Sequence, residues 1–348
     1  MRVFLRFVLC VLLGGLLLFT PYVGKASEVT LTYATFFYPN EQGGILAQKF
    51  IEFAEKASKG QLKFKTFFSG ALGAPPEYLR LIETGAIDLT TIIPPLVQKD
   101  FPLYLLVPYA LPGGEEKSLK VYRRMVLEDP ELSAIIAKET GEKSMRFLTF
   151  VSMGPNAIIS KQPISSLKDL RGKKMGGAEE EWKEFGVTGV ALTPQEGYEA
   201  LARGLVDMFS MGFTPSIDLK YYEVAKCYLM DNLFGVGLPI AINSKKWAAL
   251  PKEIQEVLLK AGKDLSDFSV QQAKTQTQKG LELLKAKGVE VRYLSPEETM
   301  TMVKVIELKH RRNKMLGRAK ERGKEAEAQK VVTIVDKILA EEYGIKVD

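Results

Sequence analysis

"PPEYLRLIETGAIDLTT" (residues 75–91) has a counterpart further along the chain, "PQEGYEALARGLVDMFS" (residues 194–210). Glu77 precedes Gly85 by the same interval that separates Glu196 from Gly204. Three residues after each glycine stands an aspartate, Asp88 or Asp207, flanked by apolar residues. This is the pattern of a helix closed by a left-handed glycine and followed by a central strand covered on both faces. One βα unit used twice predicts two similar lobes.

The neighbouring segments extend the first copy. "VTLTYAT" (29–35) alternates as a strand does, and Leu46, Phe50, Phe53 and Ala57 share one face of a helix that stops at Gly60. Leu62, Phe64, Thr66 and Phe68 alternate again. The order βαβαβ predicts a parallel sheet covered by helices. Residues 147–151 restart the pattern. "SSLKDLRG" gives a helical turn, "KKMG" a short strand and residues 180–186 a helix. "GVGLP" (235–239) does not open a helix and reads as a bend between lobes. After residue 237 the chain turns mostly helical, with one long helix, a strand "VEVRYLS" and a last helical region from Ser295 to about Tyr343.

The first residues stand apart from the fold. Arg2 and Arg6 precede an apolar run, Phe7–Phe19, and Gly24-Lys25-Ala26 offers small residues before a cut at Ser27. This is the layout of a secretory signal, and the run is shorter than the about 20 residues of a membrane span. Without Arg2, Arg6 and Lys25 the net charge falls from +6 to +3, too small a bias for a nucleic-acid binder. The exported chain keeps one cysteine, Cys227, and one histidine, His310. An internal disulfide and a Cys/His zinc site are therefore excluded, and a Ser-His-Asp triad is disfavoured. No cofactor is expected. Residues 309–324 hold eight Lys or Arg and a single acid, Glu321, and read as a solvated helix face or, as the second reading, a contact with an anionic surface.

"KKMGGAEEEWKEFG" (173–186) resembles a phosphate loop only at first sight. Its lysines precede its glycines, and Glu179, Glu180 and Glu181 would repel an anion. Successive carboxylates point in different directions, so the stretch is an ordinary strand-to-helix joint with a dipole-favoured first turn. Trp182 is either core or a cleft wall. What remains is an exported two-lobed α/β protein with few catalytic side chains. Ligands of open α/β sheets sit at the carboxyl ends of the strands, and two such sheets facing each other form a cleft that closes by a hinge.

"TLTYAT", "FAEKASKGQLKFKTFFSGALGAPPEYLRLIETGAIDLT", "PISSLKDLRGKKM", "PQEGYEALARGLVDM" and "NSKKWAALPKEIQEVLLKAGKD" occur in this order. The set resembles the solute-binding proteins of tripartite ATP-independent periplasmic (TRAP) transporters, over nearly the whole exported chain. The resemblance implies a two-lobed periplasmic binding protein fold with hinge strands, a central ligand cleft and a long helix spanning both lobes. It implies capture of a small organic solute, usually a carboxylate, and delivery to TRAP membrane permease subunits, with no catalysis. Residues 27–151 with about 238–278 form lobe I. Residues 152–237 with about 279–348 form lobe II. The chain is expected to be a periplasmic monomer that does not itself span the membrane.

In many members of that family an arginine grips the ligand carboxylate as a bidentate fork, and its position corresponds here to Gly176. A second arginine corresponds to Asn156, a polar amide to Met211, and a carboxylate of sugar-acid binders to Ile93. All four depart from the family pattern. Lys174 could supply a charge but no fork. The expected cleft residues are therefore Phe37, Tyr38, Thr91, Ile93, Met153, Asn156, Lys174, Gly176, Trp182, Met211 and Phe213. Aromatics and methionines would enclose an apolar body, while Asn156 and Thr91 orient a polar end. The expected solute is a bulky or aromatic organic acid, or a solute without a carboxylate. A sensor subunit docking on a signalling receptor and a hydrolase with scattered carboxylates are the other two readings.

Overall fold

The alternating run from Val29 forms the strand β1 (Val29–Ala34) in the computed structural model, which describes residues 28–178 and 180–345. The export segment expected over residues 1–26 lies outside the described residues, as does Glu179. Then come α1 (Gln42–Ala57), β2 (Leu62–Phe67), α2 (Glu77–Thr84) and β3 (Leu89–Thr91). α1 buries Leu46, Phe50 and Ala54 on the face its spacing marks. β1 pairs in parallel with both β2 and β3, which gives the βαβαβ order.

β4 (Ala110–Pro112), α3 (Glu115–Arg123), α4 (Pro130–Gly141), β5 (Met145–Val151) and β6 (Gly154–Ser160) continue the chain. The second copy holds β7 (Lys174–Gly176), β8 (Thr188–Val190), α5 (Pro194–Ala202), β9 (Met208–Gly212) and α6 (Phe213–Asp218). β10 (Cys227–Gly235), β11 (Leu238–Asn243), α7 (Ser244–Ala249), α8 (Lys252–Ala286), β12 (Glu290–Tyr293), α9 (Pro296–Met302), α10 (Arg312–Glu321) and α11 (Glu325–Tyr343) complete it. One sheet has the order β2-β1-β3-β11-β5, the other β12-β10-β6-β9-β7-β8 with β4 on β10.

The two copies are structurally equivalent down to single bonds. β2-β1-β3 and β8-β7-β9 are both parallel triplets. Asp88 donates its backbone N–H to Thr32 O at 3.0 Å, and its carboxylate accepts the Thr32 N–H at 2.7 Å. Asp207 does the same with Lys174, at 2.9 and 2.8 Å. Each aspartate thus satisfies an inner strand just before its ladder with the following strand begins, where a donor would otherwise be left unpaired. Gly85 and Gly204 make the preceding left-handed turn, with φ of 76° and 73°.

The chain crosses between sheets at residues 152–153 and 236–237. α8 runs behind both crossings as the expected long helix. Thr149 Oγ1 donates to Gly262 O at 2.6 Å, Ser266 Oγ to Phe150 O at 2.9 Å, and Ser152 N–H to Ser269 Oγ at 2.9 Å. Further on, the Phe213 ring of the second lobe packs on Gly280. At the other crossing Tyr104 Oη donates to Gly237 O at 2.8 Å and accepts from Tyr122 Oη at 2.9 Å, both rings being buried. Tyr104→Phe strands a buried carbonyl and a buried hydroxyl together. We expect it to cost about 2–3 kcal/mol in urea unfolding; a loss below about 0.5 kcal/mol would show that water replaces the tyrosine without cost.

The C-terminal helices differ from the expected lobe assignment. α9 and the π-helical stretch Val303–Arg311 stay with the second lobe, touching β10 and residues 180–185. α10 and α11 instead pack on residues 104–106 and on α4. Ion pairs fix them there: Arg124 with Glu341 and Glu342, and Lys324 with Glu142 at 2.7 Å. The basic run 309–324 is largely consumed in such pairs. Lys309 meets Glu184 at 2.7 Å, Arg311 meets Glu307, Arg312 meets Asp336, and Arg322 meets Glu142 at 3.3 Å. It is a set of internal and surface tethers rather than a free cationic face.

Candidate functional site: the carboxyl ends of two facing sheets

In the second lobe the strand ends nearest the crossings are Gly154–Asn156 of β6, Met211–Gly212 of β9, Gly176–Gly177 at β7 and Gly235 of β10. Asn156 lies opposite Gly212, Ala157 opposite Met211, and Gly235 opposite Gly154. A Cβ placed on Gly235 would come within 3.6 Å of Met153 Cβ and 4.0 Å of Asn156 Oδ1, so these two side chains flank a bare backbone. The rim of this lobe is therefore five glycines with Met153, Asn156 and Met211 half-exposed between them.

In the first lobe the rim is apolar. Phe37 and Ile93 pack at the edge of one cluster, which Met153 meets from the crossing. Tyr38 and Leu96 are the exposed large side chains beside them, 56% and 46% accessible. Thr91 is buried and its hydroxyl is taken by Tyr33 Oη at 2.8 Å. Of the expected residues, Phe37, Tyr38, Ile93, Met153, Asn156 and Met211 reach the surface of this region.

The others do not project into it. Lys174 opens β7 rather than closing it, so it sits at the amino end of the sheet, about 7 Å back along the strand. Trp182 lies in a short 3-10 turn (Glu180–Phe185), 6% exposed, in the core cluster with Met175 and Leu170, its ring 5.8 Å from Phe185. Phe213 is fully buried, facing Tyr228 and α8. The turn that carries Trp182 packs on the π-helical stretch Val303–Arg311, and Phe213 opens α6 and packs on α8.

Gly176 has a neighbour that sequence reading missed. Phe209 lies beside it across the parallel β7–β9 pair. A Cβ on Gly176 would stand 2.5 Å from the Phe209 ring, one on Gly177 2.9 Å, and one on Gly197 of α5 2.2 Å. Three glycines thus form a socket for one buried ring. Any side chain at position 176 would need the volume the ring occupies. The available signal was Gly197, a glycine inside a helix, where it costs about 1 kcal/mol against alanine and so implies a packing reason.

Among the described residues no group of His, Cys, Asp and Glu is placed to hold a metal ion, and no helix is long and apolar enough to cross a membrane. The rim's polar groups include the Asn156 amide, the Tyr38 hydroxyl, backbone groups and methionine sulfurs. Such a surface can enclose an apolar body and orient a polar group.

Residues 34–314 match the model of the bacterial extracellular solute-binding protein family 7, DctP. A curated relative, the C4-dicarboxylate-binding periplasmic protein DctP of Rhodobacter capsulatus, is 24% identical over 291 residues, 81% of this chain and 85% of its own. A TRAP periplasmic solute-binding protein from Ochrobactrum anthropi superposes with a TM-score of 0.74 at 21% identity, covering 91% of this chain and 98% of the other. One from Desulfovibrio salexigens, with bound orotic acid, gives 0.73 at 18% identity, covering 90% and 100%.

Proposed function

Because the chain belongs to family 7 of the bacterial extracellular solute-binding proteins, we propose that it is the periplasmic receptor of a TRAP-type transporter, capturing a bulky or aromatic organic acid. The observation that carries this reading is the rim itself: glycines and half-exposed methionines on one lobe, Phe37, Tyr38, Ile93 and Leu96 on the other. Bare backbone leaves room for a large solute, and aromatic and thioether groups favour a flat apolar one. The bound orotic acid of the Desulfovibrio salexigens relative agrees with a ring-sized solute. The C4-dicarboxylate of the Rhodobacter capsulatus relative fits less well, since Gly176 and Phe209 leave no side chain to grip a second carboxylate.

Phe37, Tyr38, Ile93, Met153, Asn156 and Met211 touch the solute. Thr91, Gly176, Trp182 and Phe213 shape the walls from behind, and Lys174 takes no part. The receptor works as a monomer. Lobe closure about residues 152–153 and 236–237 buries the solute, and the membrane permease subunits receive the closed form. A panel of organic acids read by thermal shift tests this. Cyclic and aromatic acids at 100 times their Kd should stabilise by about 2.7 kcal/mol. Asn156→Ala should weaken them by about five- to tenfold, the loss of one hydrogen bond. Strong stabilisation by succinate or malate, with none by cyclic acids, would overturn the proposal.

A further inference from the structure

A second cavity lies on the outer side of the first lobe, away from both crossings. It has a volume of about 380 Å³, on the scale of ligand pockets, and opens between the sheet edge β5, α4 and α7. Leu127, Ile136, Met145 and Phe147 form its apolar wall. β5 is an edge strand of its sheet, so no further strand covers this side.

Arg146 and Trp247 stand together in that lining. The guanidinium lies over the indole, 5.0 Å from the ring centroid, within the range of a cation–π contact. Arg146 is exposed and has no carboxylate partner among the described residues. Arg124, Arg311, Arg312 and Arg322 are, by contrast, tied to acids. The contact holds the guanidinium against the ring, and among the described residues no carboxylate pairs with its N–H groups. A planar fork of this kind matches a carboxylate with two parallel hydrogen bonds. Ser244 adds a hydroxyl to the same lining.

We propose that this cavity is a second binding site, for a small cyclic or aromatic monocarboxylate. The ring enters against Leu127, Ile136, Met145 and Phe147, and the carboxylate is held by Arg146. The site is separate from the inter-lobe rim and does not depend on what that rim binds. A ligand here would act on the first lobe alone, beside α7 and the strand β5 that leads into the crossing.

Calorimetric titration with benzoate tests the site, with benzyl alcohol as the body without the charge. Arg146 is exposed, so Arg146→Gln leaves the fold intact. Trp247→Phe keeps a ring and provides the second variant. Benzoate should bind saturably at a site that Arg146→Gln weakens at least about tenfold, the worth of a charge-assisted hydrogen bond. Benzyl alcohol should bind more weakly than benzoate to the wild type and equally to wild type and Arg146→Gln. Asn156→Ala, which alters the rim, should leave this component unchanged. Absence of saturable benzoate binding, or benzoate binding that Arg146→Gln does not weaken, overturns the proposal. Benzoate binding abolished by Asn156→Ala alone assigns it to the inter-lobe rim and also overturns it.

Discussion

Gly176→Arg is expected to cost about 3 kcal/mol of unfolding free energy, because the new side chain meets the Phe209 ring at 2.5 Å from its first atom. The ring cannot step aside. Gly197 touches it from α5 and Gly177 from the strand end, each closer than a real Cβ tolerates. Phe209→Ala should itself cost about 3–5 kcal/mol by leaving that socket empty. The double variant should be no worse than Phe209→Ala alone, since the arginine stem then occupies the vacated space. This corresponds to a coupling of up to about 3 kcal/mol between the two positions. It should also gain thermal stabilisation by succinate that neither the wild type nor Phe209→Ala shows.

The same socket makes a prediction whose sign opposes helix propensity. In an ordinary helix interior Gly→Ala stabilises by about 1 kcal/mol. Gly197→Ala should instead destabilise by about 1–3 kcal/mol, because its Cβ falls 2.2 Å from Phe209 and 2.2 Å from Tyr221 Oη. A stabilising or neutral Gly197→Ala would mean that the socket is loose, and the volume argument at Gly176 would fail with it.

The parts of the fold that follow a period are legible in the amino-acid sequence. β1, α1, β2, α2 and β3 alternate or repeat over at least a few residues each, and the glycine–aspartate pairs announce the duplication. Asp88 and Asp207 make the same two bonds. β4 and β8 are no shorter than β3 and β7, but they escape such a reading because no glycine–aspartate pair or neighbouring motif marks them. The resemblance points to the strand ends as the site region. It does not say which way a side chain there points, and that is decided by pairing. Trp182, core or cleft wall in the sequence, and Phe213, an expected wall residue, are both buried in the fold. Phe209 reads as ordinary core and decides what position 176 can hold. The partnership of residues 176, 177 and 197 with one ring joins segments about twenty residues apart, so only tertiary packing reveals it.

Asp231 should make the protein less stable as pH rises from about 4 to 7. Its carboxyl lies 3% exposed in the irregular stretch of β10 between Met230 and Phe234, accepting the Leu233 N–H at 2.9 Å. Burial pushes its pKa up to about 7, against the single favourable turn of backbone N–H groups, and the neighbouring carboxyl of Glu307 raises it further. Glu307 is itself held by Arg311, which stacks on Tyr109, so that cation is already engaged. A carboxyl whose pKa is higher folded than unfolded keeps its proton in the native state while the unfolded chain ionises. Its contribution is fully present below the unfolded pKa near 3.9 and is lost as pH climbs through about 7. Many surface carboxylates, such as Glu142 and Glu341, shift the other way and mask this in the wild type alone. The difference between Asp231→Asn and wild type removes them. That difference should move in favour of the variant by about 1.4 kcal/mol per pH unit between about pH 4 and 7, and level off above. Any constant cost of the amide only offsets the line. A difference independent of pH would show that Asp231 is ionised in the folded protein, with a partner that compensates its burial.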